Sequence, residues 1–291
     1  MLLLENGRLR VRLSETGGEL QSLFSKDTGT EYLWQGDPAW WAKRAPNLFP
    51  FIGRLFEKRY TLHGKSYDMP IHGFLPRSEM EVEEASGNSC TLLLRDSEET
   101  RACYPFRFEY RLRYTLDESC LSVRCEAVNR SDETMFFCEG AHPGFNVPLE
   151  PGLKFEDYNL TFREASMPAL VDFSPTVLVS GVRTRYPLKD NITLPLRHEL
   201  FDRDAVVLAD APRGVTLSSP EGRRGVRVSW PQMAYIGFWH KSRSEAPYVC
   251  IEPWSALPGR EGIVEDLEEM AGMTALDPGA VHINSWKIEV W

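Results

Sequence analysis

Three segments far apart in the chain each carry one acid–base side chain in a turn-like, aromatic setting. They are PIHGF (70–74) with His72, GAHPGFN (140–146) with His142 and CIEPW (250–254) with Glu252. Two imidazoles and a carboxylate are a minimal kit for moving protons. No local segment can join residues so distant in sequence, so folding must bring them together. Pro143 and Gly144 end the apolar strand before His142, which puts its imidazole at a sheet rim or on a concave face. A lone histidine beside proline is more often a structural hydrogen-bonding residue, and its partners decide the matter. Glu252 follows the apolar run Tyr248–Ile251 and precedes Pro253 and Trp254. A carboxyl group so poorly solvated is pushed up toward the range of a general base, the bland alternative being a buried ion pair with an arginine. Gly73 allows a ligand close to the backbone beside His72, and Arg54 in NLFPFIGRL offers a fork of donors to vicinal hydroxyls or an anion.

The elements that must position these groups are strands. From 106 to 116, Phe106, Phe108, Tyr110, Leu112, Tyr114 and Leu116 alternate with charged or polar residues, and Leu121, Val123, Cys125 and Ala127 repeat the pattern after a turn at 117–119. Period-two alternation on both sides of a turn reads as an antiparallel hairpin with one buried face. Further strands are expected at 7–13, 19–24, 78–84, 89–95, 134–139, 158–163, 204–209, 214–219, 225–230, 234–239 and 247–251. A last one at 281–290 keeps its phase only with a β-bulge between Ile283 and Trp286. Helices should be few: a cap and first turn at Asp37-Pro38 and an acidic surface helix over 260–272 ended by Gly272. With no linker in sight, the expectation is an all-β chain, one large antiparallel β-sandwich domain over 1–291 with long loops.

Composition excludes several classes. Of 291 residues, 42% are hydrophobic and 26% charged, ample for a core. A net charge of −9 disfavours nucleic acid. The opening MLLLEN is too short for the apolar core of a signal peptide, and no run approaches the roughly 18 residues that span a bilayer, so the expected location is cytoplasmic, away from membranes. The cysteines at 90, 103, 120, 125, 138 and 250 form no CxxC pair and read as reduced thiols. His63, His198, His240 and His282 show no HExxH or HxH spacing, so a zinc site has little support, and there is no GxSxG elbow, P-loop or GxGxxG fingerprint. Trp34, Trp40, Trp41, Trp239 and Trp254 offer faces that stack on sugar rings, although most tryptophans simply fill cores.

Taken in order, NLFPFIGRL, PIHGF, GAHPGFN and CIEPW resemble the aldose 1-epimerases, the galactose mutarotase-like proteins, and most closely their LacX-like branch. The resemblance implies a galactose mutarotase-like supersandwich with an open sugar-binding face and no cofactor or metal. It makes His142 the general acid at the ring oxygen and Glu252 the general base at the anomeric hydroxyl, with His72 and Arg54 holding the sugar. Trp254 adds an apolar wall. The family also places an aspartate on the sugar hydroxyls, in a segment matching FDRDAVVL, where Asp202 and Asp204 compete. The expected activity is interconversion of the anomers of an aldohexose by a monomer or homodimer whose partner is a small sugar. Arg54, Lys241 and Arg243 raise the alternative of a hexose phosphate, Lys241 and Arg243 otherwise being solvated loop charges. A non-catalytic sugar-binding or sensing protein is a second class. A glycoside hydrolase ranks last because it needs a second carboxylate across the scissile bond from Glu252.

Overall fold

The computed structural model describes residues 1–291, with 46% of them in strands and 7% in helices. Two antiparallel sheets dominate. The nine-stranded sheet is centred on the hairpin Phe108–Asp117/Cys120–Asn129 and on Val281–Val290, with Ser89–Arg95 and Gly225–Ser229 flanking them. The other sheet has Val206–Ala209, Tyr235–Trp239 and Tyr248–Trp254 as neighbours, followed by the short strands Gly140–Ala141 and Asn47–Leu48. Gly144–Asn146 also pairs with Tyr248–Trp254.

Alternation explains how the sheets face each other. Tyr110, Leu112 and Tyr114 of the first sheet enter the same apolar core as Phe238, Val249 and Ile251 of the second. On the opposite face of the second sheet Tyr248 and Cys250 pack with Trp34 and Trp239, and Trp254 packs with Leu48 and Ile52. Tyr248–Trp254 is therefore buried on both faces along its whole length, and Glu252 is carried on the side away from the main core.

Three expected features differ. The segment 260–272 is not a helix. Glu265–Asp266 pairs in parallel with Arg59–Leu62, the Glu265 carboxylate accepts from Arg260 N, Nε and Nη2 at 3.1, 2.9 and 2.7 Å, and Leu267 enters the core. These tertiary ties outweigh a helix propensity that is only a weak bias. The strand Val281–Val290 has no bulge, since its register with Cys120–Asn129 is unbroken. Its inward position is taken by a polar residue, Asn284 at 2% exposure, while Ile283 faces outward at 43%. Asp37 does cap a turn, accepting from Ala39 N at 2.9 Å, but no helix follows. The α-helix is instead Glu98–Cys103, started by a reciprocal cap in which Ser97 and Thr100 each accept the other's backbone N–H. No helix is long and apolar enough to cross a membrane. All six cysteines are free thiols.

Candidate active site

Two loops are locked together before any ligand is considered. His72 N–H donates to Gly53 O at 2.9 Å, and Gly53 N–H donates to His72 Nδ1 at 3.1 Å. The reciprocal pair fastens PIHGF to FIGRL. Because Nδ1 is an acceptor, the neutral ring carries its proton on Nε2. His72 has φ 64°, left-handed backbone that a side chain rarely adopts. Gly73 follows at φ 73°, where a Cβ would lie 2.1 Å from Phe49 O. Only glycine fits, so the turn that aims His72 depends on the residue after it.

His142 sits where the sheet opens. Its N–H donates to Pro46 O at 3.0 Å, its ring stacks on Trp41 at 4.8 Å, and Trp239 and His72 approach edge-on, each at 5.5 Å. Trp34 Nε1–H donates to Trp41 O at 2.8 Å, which anchors the segment bearing the stacking indole. Gly144 leaves room for the same ring, since a Cβ there would sit 3.2 Å from Trp41. On the neighbouring strand Glu252 is opposite Gly237, where a Cβ would lie 3.5 Å from the Glu252 Cβ and 3.2 Å from the Trp254 ring. His142 Nε2 and Glu252 Oε2 are 3.2 Å apart, with side-chain exposures of 9% and 1%.

These two residues form the floor of a cavity of about 370 Å³, whose lining includes Trp41, Lys43, Arg54, His72, Arg77, Asp204, Trp239, Trp254 and Pro258. That volume lies within the range of small-molecule sites. Buried polar atoms gather at the floor without hydrogen-bond partners in the protein: His142 Nδ1, Glu252 Oε2 and Trp254 Nε1. Since buried polar groups are ordinarily paired, the cluster marks a place shaped for a polar ligand. Burial, and then the negative charge of Asp204, push Glu252 well above the usual carboxylate range. Burial, and then nearby His72, hold His142 well below the ordinary imidazole value. Burial and the guanidinium groups of Arg54 and Arg77 lower His72 to about 4. Both effects at the His142–Glu252 pair disfavour charge, so the pair is held near neutrality, with one proton for two basic atoms.

The structure separates the two aspartates. Asp204 lines the cavity, at φ 86°, its carboxylate accepting from Ala205 N at 2.8 Å. Asp202 is exposed and does not line the cavity, because the turn His198–Phe201 points it outward. Lys241 and Arg243 also lie outside the lining. Lys241 Nζ donates to Ala39 O at 2.8 Å over the ring of Trp40, and Arg243 is exposed. Arg54 is joined at the cavity by two cations not singled out from sequence, Lys43 and Arg77. The position of Arg77, five residues after His72 in HGFLPR, was the available signal. Trp34 and Trp40 support rather than line the cavity, while Trp41, Trp239 and Trp254 line it.

Fold and site together define a galactose mutarotase-like β-sandwich. The chain belongs to the aldose 1-epimerase family, whose family model matches residues 1–276. It is 34% identical to the chromosomal protein LacX of Lactococcus lactis subsp. lactis, with 94% of this chain and 95% of that protein covered. A solved galactose mutarotase related enzyme from Lactobacillus acidophilus superposes with a TM-score of 0.95 at 34% identity, covering 100% of this chain and 97% of the other. A galactose mutarotase-like protein from Lactobacillus casei ATCC 334 does so with the same TM-score at 32% identity over 100% of both chains. Family membership implies a general epimerase role.

Proposed function

We propose that the chain is a mutarotase that interconverts the α and β anomers of an aldohexose. The observation that carries this reading is the pair His142 Nε2–Glu252 Oε2, 3.2 Å apart at the floor of an indole-walled cavity. The ring oxygen and the anomeric hydroxyl of a hemiacetal are bonded to one carbon, so two proton-transfer atoms side by side can reach both. Glu252 removes the hydroxyl proton as His142 delivers one to the ring oxygen. The C–O ring bond breaks, the aldehyde turns about its carbon–carbon bond, and reversal of the two transfers closes the other anomer. The two facing atoms must share one proton, and burial favours that total with the proton on Glu252; the catalytic turn begins once it has moved to His142 Nε2, which leaves the carboxylate free to act as the base. His72, Arg54 and Asp204 orient hydroxyls, and Trp254 supplies an apolar wall. A purely binding protein has no need for an acid and a base placed on the same carbon's oxygens.

The test is polarimetry of freshly dissolved α-D-glucose and α-D-galactose. Wild-type protein should speed relaxation above the spontaneous rate, and Glu252→Gln should lose most of that gain. An unchanged rate with wild type on both sugars would remove free glucose and galactose as substrates.

Lys43, Arg54 and Arg77 on one cavity support a second reading, a phosphorylated hexose. Arg77 has no carboxylate partner, its Nη1 donating to Gly73 O at 3.2 Å, so it is available to an anion. On this reading Arg77→Met lowers kcat/KM for a hexose phosphate by roughly tenfold or more, about the value of a charge-assisted hydrogen bond, and leaves the free hexose almost unaffected. Equal losses on both sugars would oppose it.

A further inference from the structure

Cys250 lies two residues before Glu252 on the same strand, so both project from the same face of the sheet. Gly144, opposite Cys250 in register, holds the His142 segment alongside that strand in the same sheet. One ligand atom from each of His142, Cys250 and Glu252 lies within 4.8 Å of the other two, and all three residues are buried. None of this is visible as a spacing motif, because the ligands come from two separate segments.

Imidazole nitrogen, thiolate sulfur and carboxylate oxygen are ligands Zn²⁺ takes. Tetrahedral zinc with bonds of about 2.0–2.3 Å holds its ligand atoms roughly 3.3–3.8 Å apart. The His142–Glu252 separation of 3.2 Å falls within about 0.1 Å of this range, and the sulfur needs to close by about 1 Å at most. Charge also balances. The Cys250 thiol and the His142–Glu252 pair each release a proton to solvent, leaving two anionic ligands and one neutral imidazole around a dication. A neutral complex is the form that a buried site tolerates. Glu252 Oε2 has no hydrogen-bond donor to lose, and His142 and Glu252 line the cavity, from which a fourth ligand can come, while Cys250 lies behind them. A thiolate in the set favours zinc over the oxygen-seeking Mg²⁺.

We propose that the floor of the cavity is a binding site for Zn²⁺ and that the bound ion switches the acid–base pair off by taking the lone pairs that carry its protons. The binding half stands on the geometry alone, while the switching half rests on the mutarotase reading. Cobalt titration of the full chain reads binding without any activity assay. Wild type should develop a thiolate-to-cobalt charge-transfer band that Zn²⁺ displaces, and Cys250→Ala should not develop it. Cys250→Ser provides the same comparison should the alanine variant fold poorly. Cys103 and Cys120 are partly exposed, so a band that persists in the Cys250 variants would overturn the site, as would its absence from wild type. In polarimetry, zinc should inhibit wild type, chelation should restore it, and Mg²⁺ should have no effect. Cys250→Ala should keep the basal rate and need more zinc by at least the roughly 10–100-fold that even an outer-shell partner is worth. Equal zinc sensitivity of wild type and variant would overturn the switch. A cobalt band in a protein that never speeds mutarotation would count against the catalytic reading and leave the metal site standing.

Discussion

The molecule contains two histidine–glutamate pairs of the same separation, each built on a buried glutamate. His142 Nε2 lies 3.2 Å from Glu252 Oε2, and His282 Nε2 lies 3.2 Å from Glu139 Oε1, with each glutamate side chain at 1% exposure. In neither pair is the oxygen facing the ring satisfied by a hydrogen bond. Their surroundings differ. Glu139 Oε2 accepts from Tyr110 OH at 2.8 Å, its N–H donates to Ser255 Oγ at 2.9 Å, and its carbonyl accepts from Ser255 N at 3.0 Å. It thus ties the strand leading to His142 to the residue just after the strand of Glu252. Glu252 has no such fastening and lines a cavity beside Trp254 and Asp204. Equal burial of the two carboxyl groups therefore serves two ends: a carboxyl group held by its neighbours is a fastener, and one left without them beside a cavity is a reagent.

Activity is where the two pairs should separate most. Glu252→Gln or His142→Asn should lower the mutarotation kcat by roughly 10²–10⁴-fold, about 3–5 kcal/mol of barrier, with an unchanged circular dichroism spectrum. Glu139→Ala should retain kcat within about tenfold, less than the loss of an acid or base, since its backbone bonds to Ser255 survive the substitution. Comparable kinetic losses at both glutamates would abolish the distinction.

Stability should rank them the other way. Removing the Glu139 carboxyl leaves Tyr110 OH unpaired in the core, at a cost of about 1–3 kcal/mol. Urea denaturation of Glu139→Ala and Glu252→Gln at neutral pH should show the former with the clearly lower midpoint.

The two pairs were not equally legible in the sequence. His142 and Glu252 stand in short motifs dense in Gly, Pro and aromatic residues, and His72 and Arg54 are marked in the same way, because turns that aim a side chain need such residues. Glu139 and His282 lie in ordinary strand sequence, and their meeting depends on how Val281–Val290 registers against its neighbour. The strands themselves were readable wherever one face is apolar, as in Phe108–Asp117. Alternation misled at Ile283 and Asn284, where the polar residue points inward. Asp202 and Asp204 are indistinguishable as letters in FDRD, and a left-handed backbone at Asp204 after a short helical turn sets which one meets the cavity. The helix expected over 260–272 was lost to the Arg260–Glu265 pairing and the buried Leu267, partners that local propensity does not see.

The smallest expected difference is in how stability follows pH. Glu252 is raised above the 4.5 of a free glutamate by burial and by Asp204, so the folded protein keeps a proton that the unfolded chain has lost. Its contribution is complete below pH 4.5 and drains away as pH rises through the folded value. His72 has the opposite sign. It is lowered from 6.5 to about 4, so its contribution is complete above pH 6.5 and about 3 kcal/mol is lost as pH falls through 4. Buried His142, also lowered, acts in the same direction. In wild type the rising share of Glu252 offsets part of the histidine loss between pH 6.5 and 4.5. A glutamine amide does not titrate, so Glu252→Gln should lose stability more steeply over that window and gain on wild type toward neutral pH. Urea midpoints measured at half-unit steps would show the two curves diverging as pH rises. Parallel curves would mean that Glu252 keeps an ordinary carboxyl pKa in the fold, and the contrast with Glu139 would then rest on hydrogen bonding alone.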